Sequence, residues 1–142
     1  MPVHAVTRFF VVVVLGALLS GCAQELRPGE ALVPDGAQMT HRAVLIGSSL
    51  HDTVGTISLY QSDEPAVVVF EPNFRFADSP GTVVALGSDG YRPETVLGSL
   101  LKNNGRQAYA VPSHLNIRAF NEIWLWNTQS DKPLGLGRLT QL

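Results

Sequence analysis

Imidazole and carboxylate side chains are the first groups in this sequence to test for catalytic or metal-binding chemistry. His41, His51 and His114 are far apart and have no cysteine beside them, so they lack the close ligand spacing of a typical zinc site. Ser49, His51 and Asp52 are the residue types of a hydrolase triad. Neighbours in one short segment cannot easily form the linear relay that a triad needs, and the sequence has no G-x-S-x-G elbow.

Acidic and basic residues of the predicted loops suggest two other kinds of site. Four loop carboxylates could supply oxygen ligands to calcium, but their spacing is not that of an EF-hand, and we interpret them as solvated charges. They are Asp63, Glu64, Asp78 and Asp89. Four basic residues around the segment 103–105 could meet an anionic lipid or glycan, although charges spread over 27 residues usually form a soluble rim. They are Arg92, Lys102, Arg106 and Arg118.

Cys22 is the only cysteine of the chain, which excludes an intramolecular disulfide and a multi-cysteine metal site. It follows closely on an apolar run of 11 residues, Phe9 to Leu19, which Arg8 precedes. A helix that spans a bilayer needs roughly 20 apolar residues, so this run is typical of a secretory signal peptide. We therefore predict that residues 1–21 are a signal peptide helix.

The apolar run leads into the four residues Leu19, Ser20, Gly21 and Cys22. This quartet resembles the lipobox of bacterial lipoproteins. The resemblance implies cleavage before Cys22, diacylglycerol on its sulfur and an acyl chain such as palmitate on its amino group. Acyl chains contribute about 0.8 kcal/mol per buried CH₂, so two or more chains anchor a protein stably on a membrane. Ala23 follows the cysteine and no Asp does, which in Gram-negative lipoproteins implies the outer membrane, on its periplasmic or surface side. In a host with one membrane, it implies the outer face of that membrane.

Composition and charge restrict the remaining classes of function. The 142 residues are 45% hydrophobic and 15% charged, which suits one ordered domain and argues against disorder. The net charge is −2, and without residues 1–21, which contain one basic residue, it is 9 − 12 = −3. Because nucleic-acid binding needs a clustered basic surface, we expect no nucleic-acid partner.

The elements that position these residues are predicted to be β-strands. Residues 22–42 have no sustained periodicity, and we interpret them as the lipidated cysteine and a tether. Over 43–142, short apolar or alternating runs are separated by turn signals, which is typical of an antiparallel β-sandwich or a barrel-like domain. The predicted strands are 43–47, 54–60, 66–71, 82–87, 107–111, 122–127 and 134–139.

Residues 94–102 leave helix and strand open as alternatives. Pro93 could stand in the first turn of a helix, but Gly98 would cost about 1 kcal/mol against alanine in the helix interior. Asn104-Gly105 predicts a tight hairpin turn that returns the chain into 107–111. The pattern therefore favours a strand.

Trp124 and Trp126 also leave two alternatives. They are two residues apart and so lie on the same face of their strand. They either anchor the core or form a surface patch that binds a ligand or partner. We favour the core, because Ile123 and Leu125 between them are apolar as well.

The segments of 43–140, taken in order, resemble the DM-thirteen family, whose domain also occurs in the animal protein Skeletor. No single motif is specific, but the ordered set is. The motif residues are Val54-Gly55-Thr56-Ile57, Val68-Val69-Phe70 with Asn73-Phe74, Asp78-Ser79-Pro80-Gly81 with Val83-Val84-Ala85-Leu86, Leu97-Gly98-Ser99-Leu100 with Gly105, Gln107, Tyr109 and Pro112, and Phe120, Ile123, Leu125 and Trp126-Asn127 with Leu134-Gly135-Leu136-Gly137-Arg138-Leu139.

This resemblance implies a β domain and a role in electron transfer, which in the family is attributed to a cysteine directly after the tryptophan. Here Asn127 follows Trp126, and an amide does not ligate iron or exchange with a disulfide as a thiolate does. The sequence therefore favours a non-catalytic binding or interaction module of the cell envelope, with an unknown ligand or envelope protein as partner. We expect no metal and no cofactor other than the lipid on Cys22. Electron transfer is the alternative.

Overall fold

The computed structural model describes residues 28–49, 51–63 and 65–142. The described segments form an all-β domain in which every strand pairing is antiparallel, as the sequence predicts. One short 3₁₀-helix, Ile117–Ala119, precedes β8. The strands are β1 (Gln38–Gly47), β2 (Thr53–Gln61), β3 (Val67–Phe70), β4 (Arg75–Phe76), β5 (Thr82–Gly87), β6 (Tyr91–Ser99), β7 (Gln107–Ala110), β8 (Glu122–Asn127), β9 (Lys132–Arg138) and β10 (Thr140–Gln141).

Eight of these strands form one continuous sheet in the order β6-β5-β8-β9-β1-β2-β3-β7. The short strands β4 and β10 lie off this path and pair with β2 and β1. The sheet is nearly closed into a barrel-like shape. The barrel is left open between the two edge strands of this sheet, β6 and β7, which share no backbone ladder in the described part of the chain. We call the gap between them the seam.

Alternation along the strands sends one set of side chains into the barrel and the other set to its outer face. In β2, Ile57 and Leu59 are buried in the core, whereas Val54 is exposed on the outer face. Phe70 packs edge-on against Phe74 and Tyr109 at centroid distances of 4.9 and 5.7 Å. These three rings fill the part of the core that lies beside β3 and β7.

Side chains hold the seam where backbone pairing is missing. The Gln107 side chain accepts hydrogen bonds from the N–H groups of Leu101 and Lys102 at 3.1 and 3.2 Å, and its amide donates to the Lys102 carbonyl at 2.8 Å. The Tyr109 hydroxyl accepts from Leu101 N–H at 3.0 Å and lies 2.7 Å from Gln107 Oε1. Because buried backbone groups need partners, these two β7 side chains replace a ladder.

Residues 28–33, which we call the strap, cross the outside of the seam. Ala31 N–H donates to the Ala108 carbonyl at 3.1 Å, and Ala108 N–H donates to the Gly29 carbonyl at 2.9 Å. Ala31 and Val33 then cover Val67 and Val69 in a second, smaller apolar cluster on the outer face. The chain therefore becomes part of the domain well before β1 begins.

Two features differ from the prediction. The first strand begins at Gln38 rather than at residue 43, and the strap lies within the predicted tether. The tight hairpin at Asn104-Gly105 is wrong, because β7 pairs with β3 while β6 pairs with β5. Asn104 instead forms an isolated bridge with Arg75. The strand interpretation of 94–102 is confirmed by β6, which ends at Ser99.

Candidate functional site

The residues that carry the predicted lipid anchor, Leu19, Ser20, Gly21 and Cys22, lie outside the described residues. The first described residue, Pro28, packs at the seam, where a Cβ on Gly98 would collide with its ring. Five residues lie between Cys22 and Pro28, and the six extended steps that join the two span at most about 20 Å. A lipid on Cys22 would therefore keep the seam close to the membrane.

Four of the family-motif residues do not surround a common cavity but serve the fold near the seam. Phe74 and Tyr109 are fully buried in the core. Gly105 has a φ of +79° and donates its N–H to the Phe74 carbonyl at 3.1 Å, so it closes the loop after β6. Pro112 is partly buried just after β7.

Asn127, which the DM-thirteen resemblance would align with a cysteine, connects two loops. Its amide nitrogen donates to Ser79 Oγ at 2.8 Å and to the Pro80 carbonyl at 3.0 Å. Its amide oxygen accepts from the N–H groups of Gln129 and Ser130, both at 2.9 Å. All the polar atoms of this side chain are therefore engaged in holding the loop before β5 against the turn after β8.

The other sequence candidates are dispersed. His51 Nδ1 lies 3.1 Å from Thr53 Oγ1, and Thr53 Oγ1 donates to the Leu134 carbonyl, so this imidazole is held by Thr53. Asp78 accepts a hydrogen bond from Asn103 at 3.0 Å. Among the described residues, no group of three or more His, Cys, Asp and Glu side chains could hold a metal ion.

The predicted basic cluster does not share one element. Arg92 is on β6, Lys102 and Arg106 lie in the loop before β7, and Arg118 is in the 3₁₀-helix. Of the predicted calcium ligands, Asp63, Asp78 and Asp89 are in separate loops, and Glu64 is outside the described residues.

The two tryptophans are on the outer face, so the core interpretation is wrong. Ile123 and Leu125 point into the core, and alternation sends Trp124 and Trp126 to the opposite side, where both are partly buried. Trp126 stacks on Tyr91 at 4.3 Å with an angle of 6° between the rings, and Trp124 meets Trp126 edge-on at 6.0 Å. Strand β8 has apolar residues on both faces, so its sequence pattern does not show which of the two faces points into the core.

A buried carboxylate fixes this aromatic surface. Glu122 is 2% exposed, and its Oε2 accepts hydrogen bonds from Trp124 Nε1 and from Gly90 N–H, both at 2.9 Å. Its Oε1 accepts from Arg138 Nη1 at 2.9 Å in an ion pair. Buried charges require this kind of complete pairing. Glu122 therefore orients one indole ring and one guanidinium group on the same outer surface.

Beside this network lies a shallow groove of about 590 Å³ along the outer face of β1 and β9. Its apolar side chains include Val44, Ile46 and Leu136, and Val44 and Ile46 are 66% and 69% exposed. Arg42 and Arg138 also line it. We call these five residues the β1–β9 face.

Strand register extends the β1–β9 face into a longer apolar row. Ile46 pairs with Val54 of β2 on one side and with Leu136 of β9 on the other, and Leu136 pairs with Trp124 of β8. Directly paired residues of an antiparallel sheet point to the same side. Val54, Ile46, Leu136 and Trp124 thus form one row across four strands, which is the strongest candidate for a binding surface.

Burial and two carboxylates act on Tyr91 at the end of the aromatic group. Partial burial raises the pKa of the Tyr91 hydroxyl, and the negative charges of Asp131 and Glu94 raise that pKa further. Asp131 also accepts a hydrogen bond from Trp126 Nε1 at 3.0 Å. The aromatic end of the surface is therefore bordered by negative charge and the β1–β9 face by positive charge.

Sequence reasoning named Leu136 and Arg138 only as part of a motif of the DM-thirteen resemblance, and it did not identify Glu122 or the β1–β9 face as a site. In β1, the run Ala43 to Ile46 is apolar on both faces, so its pattern does not separate core from surface. The one available signal was Arg42 two residues before Val44, since alternation places the two on the same face.

Comparison with protein-family models, with curated proteins and with solved structures finds no match to this chain. In the part of the chain that the structure describes, no helix is long and apolar enough to cross a membrane.

Proposed function

We propose that this protein is a lipid-anchored module of the bacterial cell envelope that binds another molecule through the outer face of its barrel and is not an enzyme. The observation that supports binding is the outer-face row Val54, Ile46, Leu136 and Trp124 beside Arg42. Val54 and Ile46 are exposed, and Leu136 and Trp124 are partly buried. Exposed apolar patches that are bordered by polar groups are typical of interaction sites. Arginine and tryptophan are the side chains most enriched where partners bind.

The lipid anchor of this proposal is supported by sequence. The quartet Leu19, Ser20, Gly21 and Cys22 comes directly after an apolar run of signal-peptide length and contains the only cysteine. We infer that the mature chain starts at Cys22 with diacylglycerol and an N-acyl chain, and that it lies on the outer membrane or, in a host with one membrane, on its outer face.

The substitution Cys22→Ser tests the anchor. We expect the wild-type chain to incorporate labelled palmitate and to sediment with the membrane fraction. The variant should be unlabelled and soluble, because without acyl chains the anchoring free energy of about 0.8 kcal/mol per CH₂ is lost. Ala23→Ser, a similar change one residue later, is the control and should leave labelling intact. A Cys22→Ser variant that still takes up palmitate or stays in the membrane fraction would contradict the lipoprotein proposal.

Electron transfer is the alternative that the DM-thirteen resemblance implies. An ultraviolet–visible spectrum with metal analysis, taken on protein purified from its native envelope, separates the two functions. Visible absorbance or stoichiometric iron or copper would favour electron transfer. A spectrum of tryptophan and tyrosine alone would favour the binding module.

A further inference from the structure

The β1–β9 face is an open surface rather than an enclosed pocket. Its two central side chains, Val44 and Ile46, are 66% and 69% exposed. Pockets that hold small molecules bury most of the ligand surface, which side chains this exposed cannot do. The geometry therefore suits a macromolecule that lies across the strands.

The charges of this face are positive. Arg42 is exposed, and its guanidinium group donates a 3.5 Å hydrogen bond to Met39 Sδ. The Arg138 side chain is 70% exposed, although one of its nitrogen atoms is held by Glu122. Among the described residues that line the groove, none is acidic. The face therefore offers two guanidinium groups beside apolar side chains.

A second copy of this chain fits the face poorly. A two-fold contact through the same surface would set these arginines against a face that has no carboxylate to receive them. Like charges across an interface disfavour that pairing.

The position of the face also argues against the membrane as its binding partner, if the lipid on Cys22 is inserted in that membrane. In the sheet order, β1 is separated from the seam by β2, β3 and β7 on one side and by β9, β8, β5 and β6 on the other. The strap enters at the seam, so the β1–β9 face lies across the barrel from the point where the chain arrives. A protein anchored at its strap presents this face away from its own membrane.

We propose, on the basis of the proposed function, that the β1–β9 face docks an acidic, apolar segment of another envelope protein. Val44, Ile46 and Leu136 would receive the apolar side chains of the segment, and Arg42 and Arg138 its carboxylates. Guanidinium groups bind carboxylates through paired hydrogen bonds, which fixes the register of the segment. Glu122 contributes by holding Arg138 in place before the segment arrives.

Two amphipathic helical peptides of equal length test this proposal. They share one leucine face, and the polar face carries glutamate in one peptide and lysine in the other. Binding to the full chain that carries Cys22→Ser is measured by the fluorescence anisotropy of labelled peptide. We expect the glutamate peptide to bind at least about tenfold more tightly, which corresponds to about 1.4 kcal/mol. Amide NMR shifts should change at β1 and β9.

Variants of the same chain test whether the preference for the glutamate peptide arises from the β1–β9 face. Arg42→Glu should remove or reverse the preference for the glutamate peptide, whereas the matched charge change Arg92→Glu on β6 should leave it unchanged. Ile46→Ser should weaken both peptides. Equal binding of the two peptides, or a preference that survives Arg42→Glu, would overturn the proposal.

Vesicles of phosphatidylethanolamine and phosphatidylglycerol provide the other arm. If the chain binds these vesicles through Arg42 and Ile46 and does not bind the glutamate peptide, the face is a lipid-binding surface and the proposal is wrong. The peptide-binding result does not depend on whether Cys22 is lipidated, because it is measured on the Cys22→Ser chain. If the lipid anchor is wrong, the fractionation experiment shows it and peptide binding is unaffected.

Discussion

At the seam and on the outer face, single buried side chains supply the hydrogen bonds that backbone pairing does not provide. Tyr109 and Gln107 satisfy the backbone of Leu101 and Lys102 at the seam, and Glu122 satisfies three donors on the outer face. Each of these groups is buried, so each would be costly to leave without a partner. The loss of one such side chain should therefore also affect segments outside its own strand.

Tyr109→Phe should destabilise the domain in a pH-dependent way. Burial raises the pKa of Tyr109 to about 12, although the Leu101 N–H that donates to its hydroxyl acts in the opposite direction. The folded-state pKa exceeds the unfolded value of 10, so the stabilising contribution is complete below pH 10 and is lost as the pH rises towards 12. At pH 8 the variant should lose about 0.5–1.5 kcal/mol, the usual net value of a hydrogen bond.

Denaturant unfolding of both proteins between pH 8 and pH 11.5 measures this effect. Relative to that of Tyr109→Phe, the free energy of unfolding of the wild type should fall by up to about 1.4 kcal/mol for each pH unit above 10, so the two curves should converge and then cross. Parallel curves for the two proteins across this range would show that the hydroxyl does not titrate with unfolding.

At the residue scale, the sequence indicated which side chains to examine but not what each of them does in the fold. Phe74, Gly105 and Tyr109 were selected by resemblance, and the structure places them in the core and at the seam. Trp124 and Trp126 were expected in the core, but the pleat of β8 places them outside. Glu122 could not be recognised, because its burial depends on Arg138, Gly90 and Trp124, which only the folded sheet brings together.

At the level of elements, the strap closes the barrel more than the turn between β6 and β7 does. Its two hydrogen bonds with Ala108 lie outside the seam, and Pro28 lies directly over Gly98. Gly98 has a φ of +154° and has no room for a side chain beneath the proline. The strap therefore depends on a glycine in a strand, which usually weakens a strand but here allows a close approach.

Gly98→Ala should displace the strap. The added methyl group would collide with the Pro28 ring, so the hydrogen bonds of Ala31 and Ala108 should break. Hydrogen exchange at these two amides should become at least about tenfold faster, which corresponds to a loss of about 1.4 kcal/mol of local stability. Gly90→Ala is the matched control, because Gly90 has a φ of +131° but nothing lies within 4 Å of the added Cβ. Equal effects of the two changes would mean that backbone strain, not displacement of the strap, is responsible.

The strands were predicted more accurately than their partners. Strands 82–87 and 122–127 match β5 and β8 at both ends, since each is a dense apolar run between clear turn signals. The hairpin at Asn104-Gly105 failed because local turn chemistry does not reveal that β7 finds a better partner in β3, whose Val67 to Phe70 are fully buried. The strap was missed for a related reason, since its partners in β7 are more than 70 residues away along the chain.

At the scale of the whole molecule, the seam and the β1–β9 face lie on opposite sides of one barrel. The proposed anchor at Cys22 is six positions before the strap, so under our proposals the seam would lie towards the membrane and the β1–β9 face would be open to a partner. A spin label at Lys102, beside the seam, should collide with lipid-soluble relaxation agents more often than a label at Val54, on the far side. Electron paramagnetic resonance of the lipidated protein in nanodiscs measures this difference. Equal accessibility at the two positions would show that the domain has no preferred orientation.

The pairing of β1 has a consequence for how the protein is made. Leu45 pairs with Gly137 and His41 with Gln141, so the first strand cannot complete its ladder until almost the last residue is available. Pairings this distant in sequence make folding slow. A chain synthesised from its N-terminus can pair β1 with β2 early, but the other edge of β1 has no partner until β9 and β10 have been made. In the exported lipoprotein that we propose, this late pairing would keep the barrel open until the C-terminal strands had passed the export channel.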